Sequence, residues 1–324
     1  MKTLYPLFLS GVTKSPIWGG TRLPREWNKC APDQKTVGES WELTVRKKEM
    51  SVVQNGQLAG KTVGELMYSF PCELMGKTAM ADGEFPLLVK LIDAADRLSV
   101  QVHPDDSYAA YVENDRGKTE MWYIVDAEED AEIICGLSDG FDNAAFVSAL
   151  ESGKLMSALK VQKVKAGETY FIPAGLPHAI GKGILIAEIQ QNCDLTYRVY
   201  DYDRRGADGS PRELHIDKAC DVIRPFTETE IDAIRYSRGL PLSRDEVLAD
   251  CGYFRVEKQS LSQNAYKLPQ NGYLRHLLCI AESGTLECDG ITYPFSRGDS
   301  ILLPANLDNI TLFGTATVLI ATAY

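Results

Sequence analysis

The sequence has no apolar run long enough to cross a membrane and no long run of charges of one sign. None of its eight cysteines forms a Cys-x-x-Cys pair, so a tight disulfide framework is not expected and the thiols are predicted to be reduced. Its 34 basic and 45 acidic residues give a net charge of -11 at pH 7, which argues against nucleic acid and anionic membranes as partners. An anionic substrate would therefore need a locally basic pocket.

The length of 324 residues is enough for a sizeable core and for two domains. The first ten residues contain a short apolar run after Lys2, but Pro6 interrupts it and no small-residue cleavage site follows. We therefore predict an opening strand there and, with the reduced cysteines, a cytoplasmic protein. Short helices are predicted over residues 62–67, 71–74, 107–114 and 142–159, the last with Asp142 as its N-cap.

A strand followed by a tight break occupies residues 167–178. The turn-prone Gly167 precedes an apolar and aromatic strand, and Pro173, Gly175 and Pro177 interrupt the chain just before His178. This pattern places a histidine at the end of a strand, in a direction fixed by the turn.

A second strand is predicted over residues 98–103. Its period of two puts Ser99, Gln101 and His103 on one face and three apolar residues on the other. A solvent-facing strand would have the same alternation. Two potential ligands and a hydroxyl at alternate positions, ended by Pro104, fit the interior of a barrel better.

A third polar face follows at residues 118–122, where Lys118, Glu120 and Trp122 alternate at the start of a strand. A lysine two residues from a glutamate is most often a surface pair. Beside a metal ion, Lys118 could instead hold a phosphate or move a proton.

The spacing from Gly167 to His178 resembles the second metal motif of the cupin β-barrels, and residues 101–120 resemble a modified first motif. The resemblance implies one metal site with four ligands, Gln101, His103, Glu120 and His178. Imidazole nitrogens with carboxylate and amide oxygens suit Zn²⁺. The same donors would also accept Mn²⁺, Fe²⁺ or Co²⁺.

The C-terminal part contains an echo of this stretch. Residues 298–309 repeat its spacing, with Asn306 in place of Gly175 and Asn309 in place of His178. We therefore predict a mainly β fold of two cupin-like (jelly-roll) barrels with a few short helices. Residues 1–240 would form the catalytic domain and residues 241–324 a degenerate domain without metal ligands, in which His276 has no co-ligands.

Most of the chain resembles the type I phosphomannose isomerases, that is, mannose-6-phosphate isomerases of the shorter bacterial form. The resemblance rests on five ordered segments, at residues 16–20, 98–105, 117–123, 167–178 and 188–198. The connection between Glu120 and Gly167 departs from the longer members, because it has room for only a short helical piece. The family implies one Zn²⁺ per chain, a phosphorylated hexose as substrate and Arg198 as a catalytic residue. Lys118 and Glu188 match further pocket positions, and Ser99 and Lys90 match plausible phosphate contacts.

The implied reaction interconverts mannose 6-phosphate and fructose 6-phosphate by proton transfer through a cis-enediol. Zn²⁺ and Arg198 would stabilise the charge that develops on the enediolate oxygens. Glu188, with a pKa raised by burial, and Lys118, with a depressed pKa, are alternative bases. A non-catalytic cupin that binds or senses sugars, and a metal-dependent oxygenase, are the competing interpretations. Monomer and homodimer stay open.

Overall fold

The computed structural model describes residues 4–30, 33–78, 83–206, 209–239, 243, 246–262 and 264–324. These residues contain 24 β-strands and seven α-helices, which confirms the mainly β class. The predicted domain boundary, between residues 240 and 241, lies outside the described residues, as do residues 1–3 of the predicted opening strand.

The strands up to residue 200 are β1 (Leu7–Ser10), β2 (Val12–Lys14), β3 (Glu39–Leu43), β4 (Val45–Arg46), β5 (Glu49–Met50), β6 (Val52–Val53), β7 (Leu87–Ala94), β8 (Val100–Val102), β9 (Glu120–Ala127), β10 (Glu132–Leu137), β11 (Leu159–Lys163), β12 (Thr169–Ile172), β13 (His178–Ile180), β14 (Ile184–Gln191) and β15 (Tyr197–Tyr200). The later strands are β16 (Val247–Asp250), β17 (Phe254–Ser260), β18 (Tyr266–Lys267), β19 (Arg275–Ala281), β20 (Ser283–Cys288), β21 (Ile291–Ser296), β22 (Ser300–Leu303), β23 (Thr311–Gly314) and β24 (Thr317–Ala323).

The helices are short and lie in the connections. They are α1 (Arg22–Glu26), α2 (Val63–Ser69), α3 (Pro71–Met75), α4 (Asp106–Val112), α5 (Asn143–Glu151), α6 (Ile216–Val222) and α7 (Glu228–Arg235). Single 3₁₀ turns occupy Gly56–Leu58 and Leu155–Ala158. In the described part of the chain, no helix combines the length and apolar composition that a membrane span requires.

Side-chain caps explain where several helices begin. The predicted N-cap of α5 is confirmed, because the Asp142 carboxylate accepts the Ala145 N–H at 2.8 Å. Asp105 caps α4 in the same way. Reciprocal capping boxes start α2 at Thr62 and α7 at Thr227.

Two sheets carry the polar faces predicted from the sequence. One has the strand order β12-β9-β14-β7-β3-β2, and the other has the order β11-β10-β13-β8-β15. All of their pairings are antiparallel. Strands β7 and β14 are buried along their whole length, so both of their faces pack against protein.

The later strands repeat this order of pairing. The run β12-β9-β14-β7 corresponds to β22-β19-β24-β17, and the run β11-β10-β13-β8 corresponds to β21-β20-β23-β18. The opening strand β1 pairs with β22, and β6 extends that edge. The N-terminal residues therefore complete a sheet built mainly from the C-terminal part.

The echo between residues 167–178 and 298–309 is also visible in the backbone. Gly167 and Gly298 have φ of +92° and +93°, and each precedes a four-residue strand. The carbonyls of Pro173 and Pro304 each accept an N–H three residues later at 3.1 Å. The two stretches diverge afterwards. Gly175 has φ +90° in the first, whereas the left-handed residue of the second is Asn309, at φ +54°.

Candidate metal centre and active site

Strand registers bring the predicted ligands together from the two sheets. On one side Glu120 opens β9 and pairs with Gln190 of β14. On the other side His178 of β13 pairs with Gln101 of β8, which pairs in turn with Arg198 of β15. His103 directly follows β8, two residues after Gln101, so it lies on the same face as Gln101.

The two histidines and the glutamate form one compact cluster. Possible ligand atoms of His103, Glu120 and His178 all lie within 4.8 Å of one another, and the three side chains are buried. Glu120 Oε2 is 3.6 Å from His103 Nε2, and Glu120 Oε1 is 3.4 Å from His178 Nε2. The sequence therefore predicted three residues that the fold does place together.

Backbone carbonyls orient both imidazole rings. His103 Nδ1 donates to the Leu195 carbonyl and His178 Nδ1 donates to the Leu176 carbonyl, each at 2.8 Å. Each ring therefore carries its proton on Nδ1 and turns the lone pair of Nε2 toward Glu120. Among the described residues, His103 Nε2 and Glu120 Oε1 have no hydrogen-bond partner.

This donor set fits a divalent cation. Acceptor atoms of three buried side chains face one another, and buried acceptors without a donor are costly unless a cation lies between them. Burial lowers the pKa of His178 to about 4 and holds that of His103 well below its ordinary value. Both imidazoles are therefore neutral at pH 7, which is the form that binds metals.

Gln101 lies at the edge of the cluster. Its amide Nε2 is 3.4 Å from His178 Nε2, so in this orientation it donates to the imidazole. Rotation of the amide by 180° would turn its oxygen toward the same point, and the two orientations have nearly the same shape. The fourth predicted ligand is thus within reach of the cluster.

Two buried lysines border the cluster. Lys118 Nζ is 3.1 Å from Glu120 Oε2, so this pair is an interior one and not the surface pair that such spacing usually forms. Lys90 Nζ is 3.0 Å from Glu188 Oε1, across the register pair that joins β7 and β14. The Trp122 indole N–H donates to the other Glu188 oxygen at 3.1 Å.

The expected pKa of Glu188 is wrong in direction. Burial alone would raise the pKa of this carboxyl, but Lys90 and Lys118 outweigh burial and hold it below its ordinary value. Burial instead raises the pKa of Glu120, and the negative charge of Glu188 adds to that shift. The pKa values of the two buried carboxyls are therefore shifted in opposite directions.

Arg198 and Ser99 form a separate contact. Arg198 Nε donates to Ser99 Oγ at 3.2 Å, and Nη1 donates to the Glu213 carbonyl at 2.8 Å. His215 Nδ1 accepts the Arg198 backbone N–H at 3.2 Å, which agrees with a structural role for this histidine. Among the described residues no hydrogen bond joins Ser99 to Lys90, so the two predicted phosphate contacts belong to different groups.

Several residues of the site were given no role from the sequence. Trp122 packs edge-on against the His178 ring, with centroids 5.4 Å apart, and Lys90 Nζ lies 5.2 Å from the centre of the Trp41 ring. Gln190, paired with Glu120, donates to the carbonyls of Gln191 and Cys193. The sequence did place Trp122 on one face with Lys118 and Glu120, and the alternating pattern of residues 184–190 could have marked Gln190, whereas nothing in the sequence marks Trp41 as part of the site.

The fold and the site together define a class: a β-sheet protein with a buried His₂Glu cluster and two adjoining buried ion pairs. Comparison with known proteins supplies the family. The family model described as phosphomannose isomerase type I, catalytic domain, matches residues 7–143. The model described as mannose-6-phosphate isomerase, cupin domain, matches residues 245–323.

Relatives match over almost the whole chain. The probable mannose-6-phosphate isomerase GmuF of Bacillus subtilis is 41% identical over 98% of this chain and 99% of its own length. Mannose-6-phosphate isomerase ManA of the same organism is 40% identical over the same shares. The crystal structure of the mannose 6-phosphate isomerase from Bacillus subtilis superposes with a TM-score of 0.87 at 36% identity, covering 98% of this chain and 99% of that one.

The chain therefore belongs to the type I phosphomannose isomerases. It is an isomerase, and this confirms the predicted family and enzyme class over a non-catalytic sugar-binding cupin and over an oxygenase.

Proposed function

We propose that the chain interconverts mannose 6-phosphate and fructose 6-phosphate, with one Zn²⁺ per chain held by His103, Glu120 and His178 and with Gln101 as the fourth ligand. The observation that carries the metal part is the convergence of buried acceptor atoms within 4.8 Å of one another. Two imidazole nitrogens with carboxylate and amide oxygens are donors that zinc accepts. When bound, such an ion polarises the substrate oxygens as a Lewis acid.

Proton transfer would fall to Lys118. It lies beside the ligand Glu120, at 3.1 Å, and so next to any sugar oxygen that approaches the cluster. Glu188 is held ionised by Lys90, so it would act mainly as a fixed charge that keeps Lys90 and the Trp122 indole in place. A positioned acid or base contributes about 10²- to 10⁴-fold to such reactions.

The charges of the cavity suit a phosphorylated sugar. Lys118 pairs with Glu120 and Lys90 pairs with Glu188, so the two charges within each pair cancel. A bound divalent ion would therefore leave the site with a net positive charge. A sugar phosphate that is largely dianionic at neutral pH would offset that charge. Arg198, with Ser99 fixing its guanidinium, would stabilise the enediolate, while Ser99 and Lys90 remain the proposed phosphate contacts.

The chain would consist of two cupin-like barrels, a catalytic domain over residues 1–240 and a degenerate domain over residues 241–324. The repeated strand order supports this division. Glu120 pairs with Ile172, and the equivalent of Ile172 in the echo is Leu303, which pairs with Arg275. An arginine therefore stands where the first domain has a ligand, and Asn309 stands in place of His178, so the second barrel would not hold a metal.

The remaining expectations stay predictions: a cytoplasmic location, no nucleic-acid or membrane partner, and a monomer or homodimer.

A coupled assay tests the proposal. Purified protein given mannose 6-phosphate should form fructose 6-phosphate, lose that activity on chelation and regain it with Zn²⁺. Metal analysis of the same sample should give one ion per chain. Turnover that survives complete removal of the metal would contradict the proposed centre, and turnover of unphosphorylated mannose at the same rate would contradict the phosphate contacts.

A further inference from the structure

The short loop that carries Lys118 is held by two side chains from elsewhere in the fold. The Gly117 N–H donates to Asp106 Oδ1 at 2.9 Å, and the Thr119 N–H donates to Gln191 Oε1 at 2.8 Å. Gln191 Nε2 donates to the same Asp106 oxygen at 3.0 Å. The residues on both sides of Lys118 are thus fixed through one carboxylate and one amide.

The other oxygen of Asp106 receives a hydrogen bond from the C-terminal part of the chain. The Tyr253 hydroxyl, in the turn between β16 and β17, donates to Asp106 Oδ2 at 2.8 Å. A continuous chain of hydrogen bonds therefore runs from Tyr253 through Asp106 to the loop. Tyr253 itself touches no residue of the metal cluster by any hydrogen bond among the described residues.

The loop has little room to adopt another position. A Cβ on Gly117 would lie 2.4 Å from the Asp106 backbone nitrogen, so the loop packs directly on the start of α4. The Lys118 N–H also donates to the Pro104 carbonyl at 3.0 Å. Because the ammonium lies 3.1 Å from Glu120, small movements of this loop would change where the charge sits relative to the reacting atoms.

We propose that Asp106 is a positioning residue for Lys118 and that Tyr253 acts through it, so that the C-terminal domain helps to set the geometry of the active site. The inference rests on the proposed function for its kinetic consequence, since Lys118 is the group it positions. Its structural consequence, the protection of the Gly117 and Thr119 amides, does not depend on which reaction the site performs.

A matched control lies in the same part of the chain. The Tyr324 hydroxyl donates to Asp250 Oδ1 at 2.9 Å, so Tyr324→Phe removes a tyrosine-carboxylate bond of nearly the same length. Within the described residues, neither Tyr324 nor Asp250 forms a hydrogen bond to the Lys118 loop. A purely structural role for Tyr253 predicts that Tyr253→Phe and Tyr324→Phe behave alike.

Hydrogen-deuterium exchange of the metal-loaded full chain tests the structural arm. Tyr253→Phe should raise exchange in the peptide that contains residues 116–120, and Asp106→Ala should raise it further. Tyr324→Phe should leave that peptide at the wild-type rate. Unchanged exchange in Tyr253→Phe overturns the role of Tyr253, and unchanged exchange in Asp106→Ala overturns the whole proposal.

Kinetics test the functional arm. Tyr253→Phe should lower kcat by about 3- to 10-fold with KM within about twofold, the size expected for one lost hydrogen bond. Asp106→Ala should lower it by about 10- to 100-fold, and Asp106→Asn, which keeps an acceptor for Gly117, should recover part of the loss. In the Asp106→Ala background Tyr253→Phe should have no further effect. If the two substitutions instead lowered kcat independently, so that their effects multiplied, the proposal that Tyr253 acts through Asp106 would be overturned.

The two hypotheses fail separately. A wild-type chain without isomerase activity contradicts the proposed function but leaves the exchange experiment valid. An active wild type whose kcat is unchanged by Tyr253→Phe and Asp106→Ala overturns the positioning role alone. Asp106→Ala should fold, because Asp105 and not Asp106 caps α4, and Tyr253→Phe keeps the test available in any case.

Discussion

Lys90 Nζ lies 3.0 Å from Glu188 Oε1, and both side chains are at most 5% exposed. Burial opposes the charge on Lys90, but the carboxylates of Glu188 and Glu39 outweigh it and raise its pKa. Both members are therefore charged at neutral pH inside the protein. Such a pair contributes little net stability compared with apolar residues, yet removing one partner leaves an isolated buried charge.

We expect Lys90→Met to destabilise the protein by about 3–5 kcal/mol, because Glu188 would then lack its countercharge. The double variant Lys90→Met with Glu188→Met should recover much of that stability while staying inactive. Chemical denaturation of the single and double variants measures both effects.

The exposed pair of Lys163 with Asp130 provides the control for this cycle. Its side chains are 66% and 73% exposed, so Lys163→Met should cost at most about 1 kcal/mol. If Lys90→Met and Lys163→Met lost the same unfolding free energy, an unpaired Glu188 would cost no more than an unpaired surface carboxylate, contrary to what its burial implies.

Removal of one imidazole should empty the metal centre. Loss of a residue that only orients a ligand lowers metal affinity by roughly 10- to 100-fold. Because His178 is itself a proposed ligand, we expect His178→Asn to lower the affinity by more than that. His276→Asn is the control, because His276 is an equally buried histidine whose Nε2 bonds to Ser300 Oγ at 2.8 Å and which belongs to no group of potential metal ligands in the described part of the chain. Metal content after gel filtration distinguishes them, and retention of a full equivalent by His178→Asn would contradict the ligand assignment.

Arg198 should matter for turnover and not for metal binding. Its guanidinium contacts Ser99 and the Glu213 carbonyl and makes no hydrogen bond to the cluster, as far as the described residues go. We expect Arg198→Ala to keep one metal ion while losing about 10²- to 10³-fold in kcat, the usual effect of removing a preorganised electrostatic group. The control is Arg297→Ala, which replaces an exposed arginine in the turn between β21 and β22. It should match the wild type in both metal content and kcat. Loss of metal from Arg198→Ala would assign it a structural role instead.

The resemblance to the cupin motifs nominated His103, Glu120 and His178, and local rules account for part of the geometry that brings them together. The period of two puts Gln101 and His103 on one face, and the prolines before His178 fix where that strand ends. The pKa of Glu188 could not be predicted in the same way. Its shift is set by Lys90, nearly a hundred residues earlier in the chain, and only the antiparallel pairing of β7 and β14 brings the two together.

Contacts between the two ends of the chain were also beyond sequence reasoning. The pairing of β1 with β22 and the bond from Tyr253 to Asp106 join residues separated by more than a hundred positions. Neither has a local signature, since the composition of a short strand or of a turn with one half-buried tyrosine does not show what it pairs with. The C-terminal echo, in contrast, was predictable because Gly298 needs the same left-handed φ as Gly167.

The buried His276 should make the stability of the protein depend on pH. Burial, with a smaller effect from the nearby Lys29 ammonium, lowers the pKa of His276 to about 3. Lys29 is itself paired with the buried Glu42 at 2.6 Å, so the positive neighbour is held in place. In the unfolded chain the imidazole has its ordinary pKa, about 6.5. Below that pH the unfolded state therefore binds a proton that the folded state excludes, and stability falls as pH falls.

The stability that His276 contributes should thus be complete above pH 6.5 and decline toward pH 3, by about 2 kcal/mol between pH 8 and pH 5. His276→Gln lacks the titrating ring but keeps a polar partner for Ser300. The difference between the unfolding free energies of wild type and variant, measured by denaturant titration at both pH values, cancels the effects of His103, His178 and His215. A difference that stays constant from pH 8 to pH 5 would show that His276 takes up its proton in the folded state, which its burial and its neighbour Lys29 both oppose.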